Sequence, residues 1–273
     1  MKKTTKIMIA MIASGMIMIF ATLGYIASTH SPNDDNDKPM SSSIDIEISG
    51  NRKTTQLTPF DEIAIIDNMS SNTYYNLKGS CSVIVDSRLT EPQISYKDDW
   101  EHYMSVNVVN NRLEVAINFG IDNFYAINVD AQSAPVTITI PGKVKSITND
   151  VFSNFDINDL DCDKLLLTTE IAKLNNCDIQ SMRIPNEYRT SLTLENSTIG
   201  TLTFDSVNCF GEWSCSGNSF IRTIKAYEPT SCNIKSVNVE NLNYNEFIFE
   251  PIDSTANLDI HINGAIKITP IKK

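Results

Sequence analysis

At 273 residues the chain has room for one large domain or two small ones. Its formal charge is −11, and setting aside Lys2, Lys3 and Lys6 with the N-terminal segment leaves −14. Such an acidic protein repels phosphate backbones, which argues against a nucleic-acid partner; the plain consequence of the charge is solubility.

The first six residues carry three lysines, and Ile7 to Ala27 is a run of 21 residues without a charge. The apolar core of a secretory signal spans about 7–15 residues, whereas a bilayer span needs about 20. Residues 1–27 therefore read as a signal peptide or membrane anchor, with 7–27 as the membrane contact and the lysines on the cytoplasmic side. No cysteine stands near its end to carry a lipid. Cleaved after Ala27 or kept as a single-helix tether, the segment sends the remainder into the cell envelope, periplasmic or at the cell surface. Residues 28–43, STHSPNDDNDKPMSSS, are polar and contain two prolines, as a flexible linker does.

From Ile44 the apolar residues alternate, which places them on one face of successive strands. Ile44, Ile46 and Ile48 come first, then Phe60, Ile63 and Ile65, Val83 and Val85, and Ile94 and Tyr96. Met104, Val106 and Val108 lead through Asn110-Asn111 into Leu113, Val115 and Ile117, a strong hairpin signal. Ile127 and Val129 follow, then Val136, Ile138 and Ile140, stopped by Pro141-Gly142. After these, an apolar motif with the spacing Φ-x-x-Φ-x-Φ recurs five times, opening at Cys162, Ile179, Ile199, Ile221 and Val239. The openings are 17, 20, 22 and 18 residues apart. Most copies are preceded by an alternating pair: Phe155 and Ile157, Ala172 and Leu174, Leu192 and Leu194, Cys232 and Ile234. A period near 20 with polar corners is expected of an all-β, single-stranded β-solenoid, with repeats over about 144–245 and a hairpin-rich N-terminal part. The alternative is an antiparallel sandwich, whose strands also recur regularly. The solenoid reading places Leu165, Met182, Leu202, Ile224 and Leu242 over one another, in an all-β domain of residues 44–273.

The order of these strands resembles the head domain of the adhesin-like GIN family of exported Bacteroidetes proteins. Phe60-Asp61-Glu62-Ile63-Ala64-Ile65, Val83-Ile84-Val85, Arg112 to Ile117 and Val136 to Pro141 match its short apolar motifs. Thr148-Asn149-Asp150 departs from it, standing where glycine-rich corners are usual. The resemblance implies export and a surface or adhesion role, and it carries over no catalytic residue.

Side chains that bear chemistry are sparse. Six cysteines occur, none as C-x-x-C. Cys162, Cys177 and Cys232 fall on inward repeat positions, and Cys209 and Cys215 make the best local pair for a disulfide. Asp156, Asp159, Asp161 and Asp163 crowd one corner; paired carboxylates can do glycosidic acid–base work, but a solvated corner is the simpler reading. His30, His102 and His261 have no triad partners in sequence, and no phosphate loop or H-E-x-x-H is present. The loop YKDDWEHY offers Tyr96, Trp100, His102 and Tyr103, and Trp213 stands further on, as ligand or partner contacts; otherwise these aromatics cover the core.

The sequence thus predicts a non-catalytic, exported envelope protein, adhesin-like, with a protein or glycan partner, no cofactor and no metal. A carbohydrate-binding or carbohydrate-active β-helix protein is the runner-up.

Overall fold

The computed structural model describes residues 43–68, 74–119, 126–185, 189–205, 210–228, 235–239, 241–251, 258–261 and 266–268. All belong to a compact unit spanning Ser41–Lys273. The expected signal or anchor over 1–27 lies outside these residues, as does most of the linker; among the described residues no helix is long and apolar enough to cross a membrane.

The described strands form four sheets. Sheet A has ten, in spatial order β23 (Ile266–Ile268), β21 (Tyr244–Pro251), β19 (Phe220–Glu228), β17 (Thr198–Phe204), β15 (Asp178–Ile184), β13 (Asp161–Thr169), β11 (Ser146–Asn149), β3 (Glu62–Asp67), β8 (Arg112–Ile117) and β7 (Met104–Val109). Sheet B has eight: β18 (Phe210–Ser216), β16 (Thr190–Glu195), β14 (Ile171–Asn175), β12 (Asn154–Asn158), β5 (Ser80–Val85), β10 (Val136–Ile140), β6 (Gln93–Lys97) and β2 (Arg52–Gln56). Sheet C has three, β1 (Ile44–Glu47), β9 (Ala126–Asp130) and β4 (Tyr74–Lys78), and β20 (Lys235–Asn238) pairs with β22 (Leu258–His261) in the fourth.

Strict alternation explains the individual strands. In β10 Val136, Ile138 and Ile140 are buried while Thr137 and Thr139 are not, and β8 buries Leu113, Val115 and Ile117 in the same way. Inward residues of sheets A, B and C meet in one core, in which Ile63, Val83, Ile127, Leu165 and Leu194 are all buried.

The expectation of a single-stranded β-solenoid is overturned. The sheets are open and mixed, and they pack in a sandwich-like arrangement. Antiparallel pairs join β7 to β8, β10 to β6 and β2 to β6, while the remaining ladders are parallel. Nor do the early strands form a separate hairpin-rich part. Strand β5 is inserted between β10 and β12, and β3 between β8 and β11, so the N-terminal half is built into the two large sheets. Regular spacing is compatible with both architectures; neighbour choice across a sheet is a long-range property that the period does not encode.

The repeat itself is realised in register. Leu165 lies beside Met182, Met182 beside Leu202, and Leu202 beside Ile224. The next partner of Ile224 is Phe247, not Leu242 as expected, and the motif's fifth copy is Tyr244, Phe247 and Phe249. Within each Φ-x-x-Φ step the ladder skips one residue at the same place, at Asp163, Gln180, Gly200 and Arg222. That aligned irregularity lets two residues three apart both face inward, as a bulge does.

The turn from sheet B to sheet A is equally repetitive. Asp159, Asn176, Asn196 and Gly217 all have positive φ, between 49° and 61°. Asn, Asp and Gly tolerate this region where other residues are strained. Each corner bonds to the next, from Asp159 N–H to the Asn175 carbonyl (3.0 Å) and from Asn176 N–H to the Glu195 carbonyl (3.0 Å). The buried residue after each corner is Leu160, Cys177, Ser197 or Ser219; the Ser197 hydroxyl accepts from Cys177 N–H (3.0 Å) and donates to the Leu174 carbonyl (3.0 Å). The opposite side is held by Asn149, whose side-chain amide donates to the Phe152 carbonyl (2.7 Å) and to the Thr169 hydroxyl (3.0 Å). A polar residue in place of the glycine-rich corner is thus buried and used.

Asn176→Val is expected to destabilise the fold by about 1–2 kcal/mol, and Asn176→Gly by much less, because only the β-branched residue is strained at positive φ. Urea unfolding midpoints check this.

Candidate interaction surfaces

Tyr96, Trp100, His102 and Tyr103 do not gather into an exposed patch. Asp98–His102 form one 3₁₀ turn. Trp100 is fully buried, donates its indole N–H to the Ala134 carbonyl (2.9 Å), and packs edge-on against Phe152. Tyr96 is buried, and its hydroxyl meets Glu101 at 3.2 Å; Tyr103 is half-buried against Phe119, and only His102 is exposed. The turn has a second task. The Asp99 carboxylate accepts from the Ser49 N–H (3.0 Å) and hydroxyl (2.7 Å), and Asp98 accepts from Asn51 N–H (2.9 Å). Those bonds hold the bend at Gly50, whose φ is +91°.

Trp213 is a core residue too. It lies beside Leu192 and Cys215 beside Leu194, so the pair continues the inward column of sheet B, and the Trp213 indole donates to the Thr190 carbonyl (2.7 Å). The proposed partner of Cys215 in a disulfide, Cys209, lies outside the described residues, as does Cys232. Cys81, Cys162, Cys177 and Cys215 are free thiols. Burial pushes Cys162 and Cys177 up to about 11, so both stay protonated and unreactive near neutrality.

The four aspartates of the first repeat are dispersed. Asp156 is on the outer face of sheet B, Asp159 occupies a corner, and Asp161 and Asp163 point outward from sheet A. Among the described residues no group of three or more His, Cys, Asp or Glu side chains is placed to hold a metal.

What the fold does assemble is a line of polar side chains across sheet B. Register places Thr54, Ser95, Thr137, Ser82, Asp156, Lys173, Thr193 and Ser214 side by side, one from each strand. At about 4.8 Å per strand the line runs roughly 34 Å. Sequence inspection missed it because consecutive members are far apart in the chain; its only local trace is the polar residue between two buried ones, as Ser82 stands between Cys81 and Val83. Hydrogen bonds tie parts of it together: Arg52 Nε to Ser95 Oγ (2.8 Å), Arg52 Nη2 to Thr137 Oγ1 (3.1 Å), and Thr54 Oγ1 to Ser95 Oγ (3.1 Å). Lys173 pairs with Glu195 at 2.6 Å and supplies the line's cation. Partial burial raises the Asp156 carboxyl above its ordinary value, with Lys173 opposing that shift.

No protein-family model matches the sequence, and no curated protein matches it. Among solved structures, the chain is similar to a putative adhesin from Bacteroides fragilis, at 15% identity and a TM-score of 0.45, covering 83% of this chain and all of that one. It is also similar to a putative lipid binding protein from Parabacteroides distasonis, at 11% identity and a TM-score of 0.36, covering 84% of this chain and all of that one. A putative adhesin from the same species aligns at 10% identity with a TM-score of 0.34, covering 83% of this chain and all of that one.

Two outcomes follow for the side chains. Trp100→Ala is expected to cost about 3–5 kcal/mol, as truncating a buried aromatic does, and His102→Ala to stay within about 0.5 kcal/mol; chemical denaturation separates them. Because the folded-state pKa of Asp156 is raised, its ionised form is disfavoured in the native protein. Its contribution to stability is therefore present below the ordinary value of 3.8 and lost as pH rises through the raised one. Asp156→Asn should be more stable than the parent at pH 7 and lose that advantage in acid, as read by thermal melts across pH.

Proposed function

We propose that this is an exported, non-catalytic, adhesin-like protein of the cell envelope, which binds a protein or glycan partner through the outer face of sheet B. The observation that carries the reading is the register-aligned polar line from Thr54 to Ser214. Six of its eight side chains are short hydroxyls, all but the buried Ser95 open to contact; such groups lose little side-chain entropy when they are engaged, and the backbone ladders beneath fix their geometry in advance. Such preorganisation favours recognition of an extended surface. The charged N-terminal lysines and the long uncharged run after them support export, and the resemblance to the GIN family belongs to the same proposal.

The test uses the full-length chain in detergent micelles, passed over an array of glycans and extracellular proteins. Retention without release of product is expected, weakened about tenfold or more by Lys173→Glu combined with Thr137→Glu, with a cooperative melt verifying that the double variant is folded. Product release would assign an enzyme instead. Retention that ignores the double substitution would remove sheet B from the reading.

A further inference from the structure

Sheet C carries a different kind of surface. Its outward side chains form two rows across the three parallel strands: Asp45, Asn128 and Asn76, then Glu47, Asp130 and Lys78. The inward neighbours Ile127, Val129 and Leu77 are buried in the core, so the rows stand on a fixed base. Above them lies a groove of about 440 Å³. A second hollow of about 280 Å³ adjoins it and shares Lys78. The larger groove falls in the size range of small-ligand sites, roughly 300–1,000 Å³.

The chemistry of the lining narrows what fits. Asp45, Glu47 and Asp130 supply acceptors, Lys78 supplies donors, and Asn76 and Asn128 supply both. One contact is already set: Asn128 Nδ2 donates to Asp45 Oδ1 at 2.8 Å, which fixes the amide's orientation and leaves its carbonyl as an acceptor. The Asp130 carboxylate is steadied by the Gln132 N–H at 3.1 Å. Three carboxylates against one ammonium repel phosphate, sulfate and acidic sugars. They do not form a cation cage either, since no such group exists among the described residues. A ligand whose hydroxyls both donate and accept, at several points around a compact ring, satisfies an alternating set of this kind.

We propose that the groove on sheet C is a binding site for a neutral hexose unit, with Asp45 and Asn128 gripping adjacent hydroxyls and Lys78 and Asp130 contacting those beyond. The inference deepens the surface-interaction reading by naming a ligand class, but it depends on a different sheet. None of the groove's lining residues is aromatic, so no ring stacks on the sugar. Affinity for a single unit is then weak, with a Kd on the order of 1 mM.

The test is a titration of the full-length chain in detergent with a panel of methyl hexosides, followed by ligand-observed NMR. Spermidine and inorganic phosphate serve as the cationic and anionic probes. Binding of at least one hexoside is expected, weakened tenfold or more by Asp45→Ala and by Asn128→Ala and unchanged by Arg88→Ala, which does not line the groove. Since Asp45 is exposed, its replacement should leave the fold intact, and melting curves verify that. Binding of spermidine alone, or of no probe, overturns the proposal. Hexoside binding lost with Lys173→Glu but kept with Asp45→Ala overturns it as well, while leaving the sheet B reading standing.

Discussion

The constraint on which the rest depends is in-register parallel pairing of the repeated strands. Each strand of β13, β15, β17, β19 and β21 is too short to bury its apolar face alone, and its backbone groups need partners on both sides. Pairing Leu165 with Met182, Leu202, Ile224 and Phe247 satisfies both requirements at once. A slip of one residue would turn every buried side chain outward. Register is therefore pinned twice: by the aligned irregularity inside each strand and by the positive-φ corner before it. Gly217 shows how tight the corner is, since a Cβ there would sit 2.1 Å from Asn196 Oδ1. Asn196 in turn receives the Asn218 N–H at 3.2 Å, so the glycine and the asparagine above it fit as a pair.

Much of this was legible from residues alone, because it is local. Alternation identified the inward residues of β3, β8, β10 and β12, and the tripled spacing found the first four copies of the repeat. Asn110-Asn111 announced the β7–β8 hairpin, and both residues have positive φ. For the fifth copy the sequence offers Val239, Leu242 and Tyr244, which also fit the spacing. The register instead opens the fifth copy at Tyr244, and Leu242 is buried without joining the column. Of the two readings open for Trp213, partner contact or cover of the core, its burial fits the second, and Trp213-x-Cys215 has the same alternation as Leu192-x-Leu194. A register shift between Thr190 and Leu192 separates it from the preceding frame.

The sheet-level arrangement was illegible for a different reason. Nothing in the composition of β5 says that its neighbours are β10 and β12, both more than fifty residues later in the chain. Such choices rest on complementarity over many residues, and a closed coil and a pair of open mixed sheets bury the same local patterns. The polar line of sheet B and the grooved face of sheet C share this origin. Both are products of neighbour choice, so no single stretch of sequence contains either.

That origin also bears on how each surface can act. On sheet B the line is made of hydroxyls and one ion pair on a broad sheet, and its members are spaced by the backbone ladder rather than by a loop. Repeating contacts of this kind add up only for a partner long enough to meet several strands at once, since each exposed polar contact is worth little by itself. On sheet C the same ladder places carboxylates and amides around a hollow, and a small ligand can engage several of them together. As proposed, the first surface would take extended partners and the second compact ones. For both proposed surfaces, in-register pairing sets the backbone positions before any ligand arrives, so that little ordering remains to be done on contact.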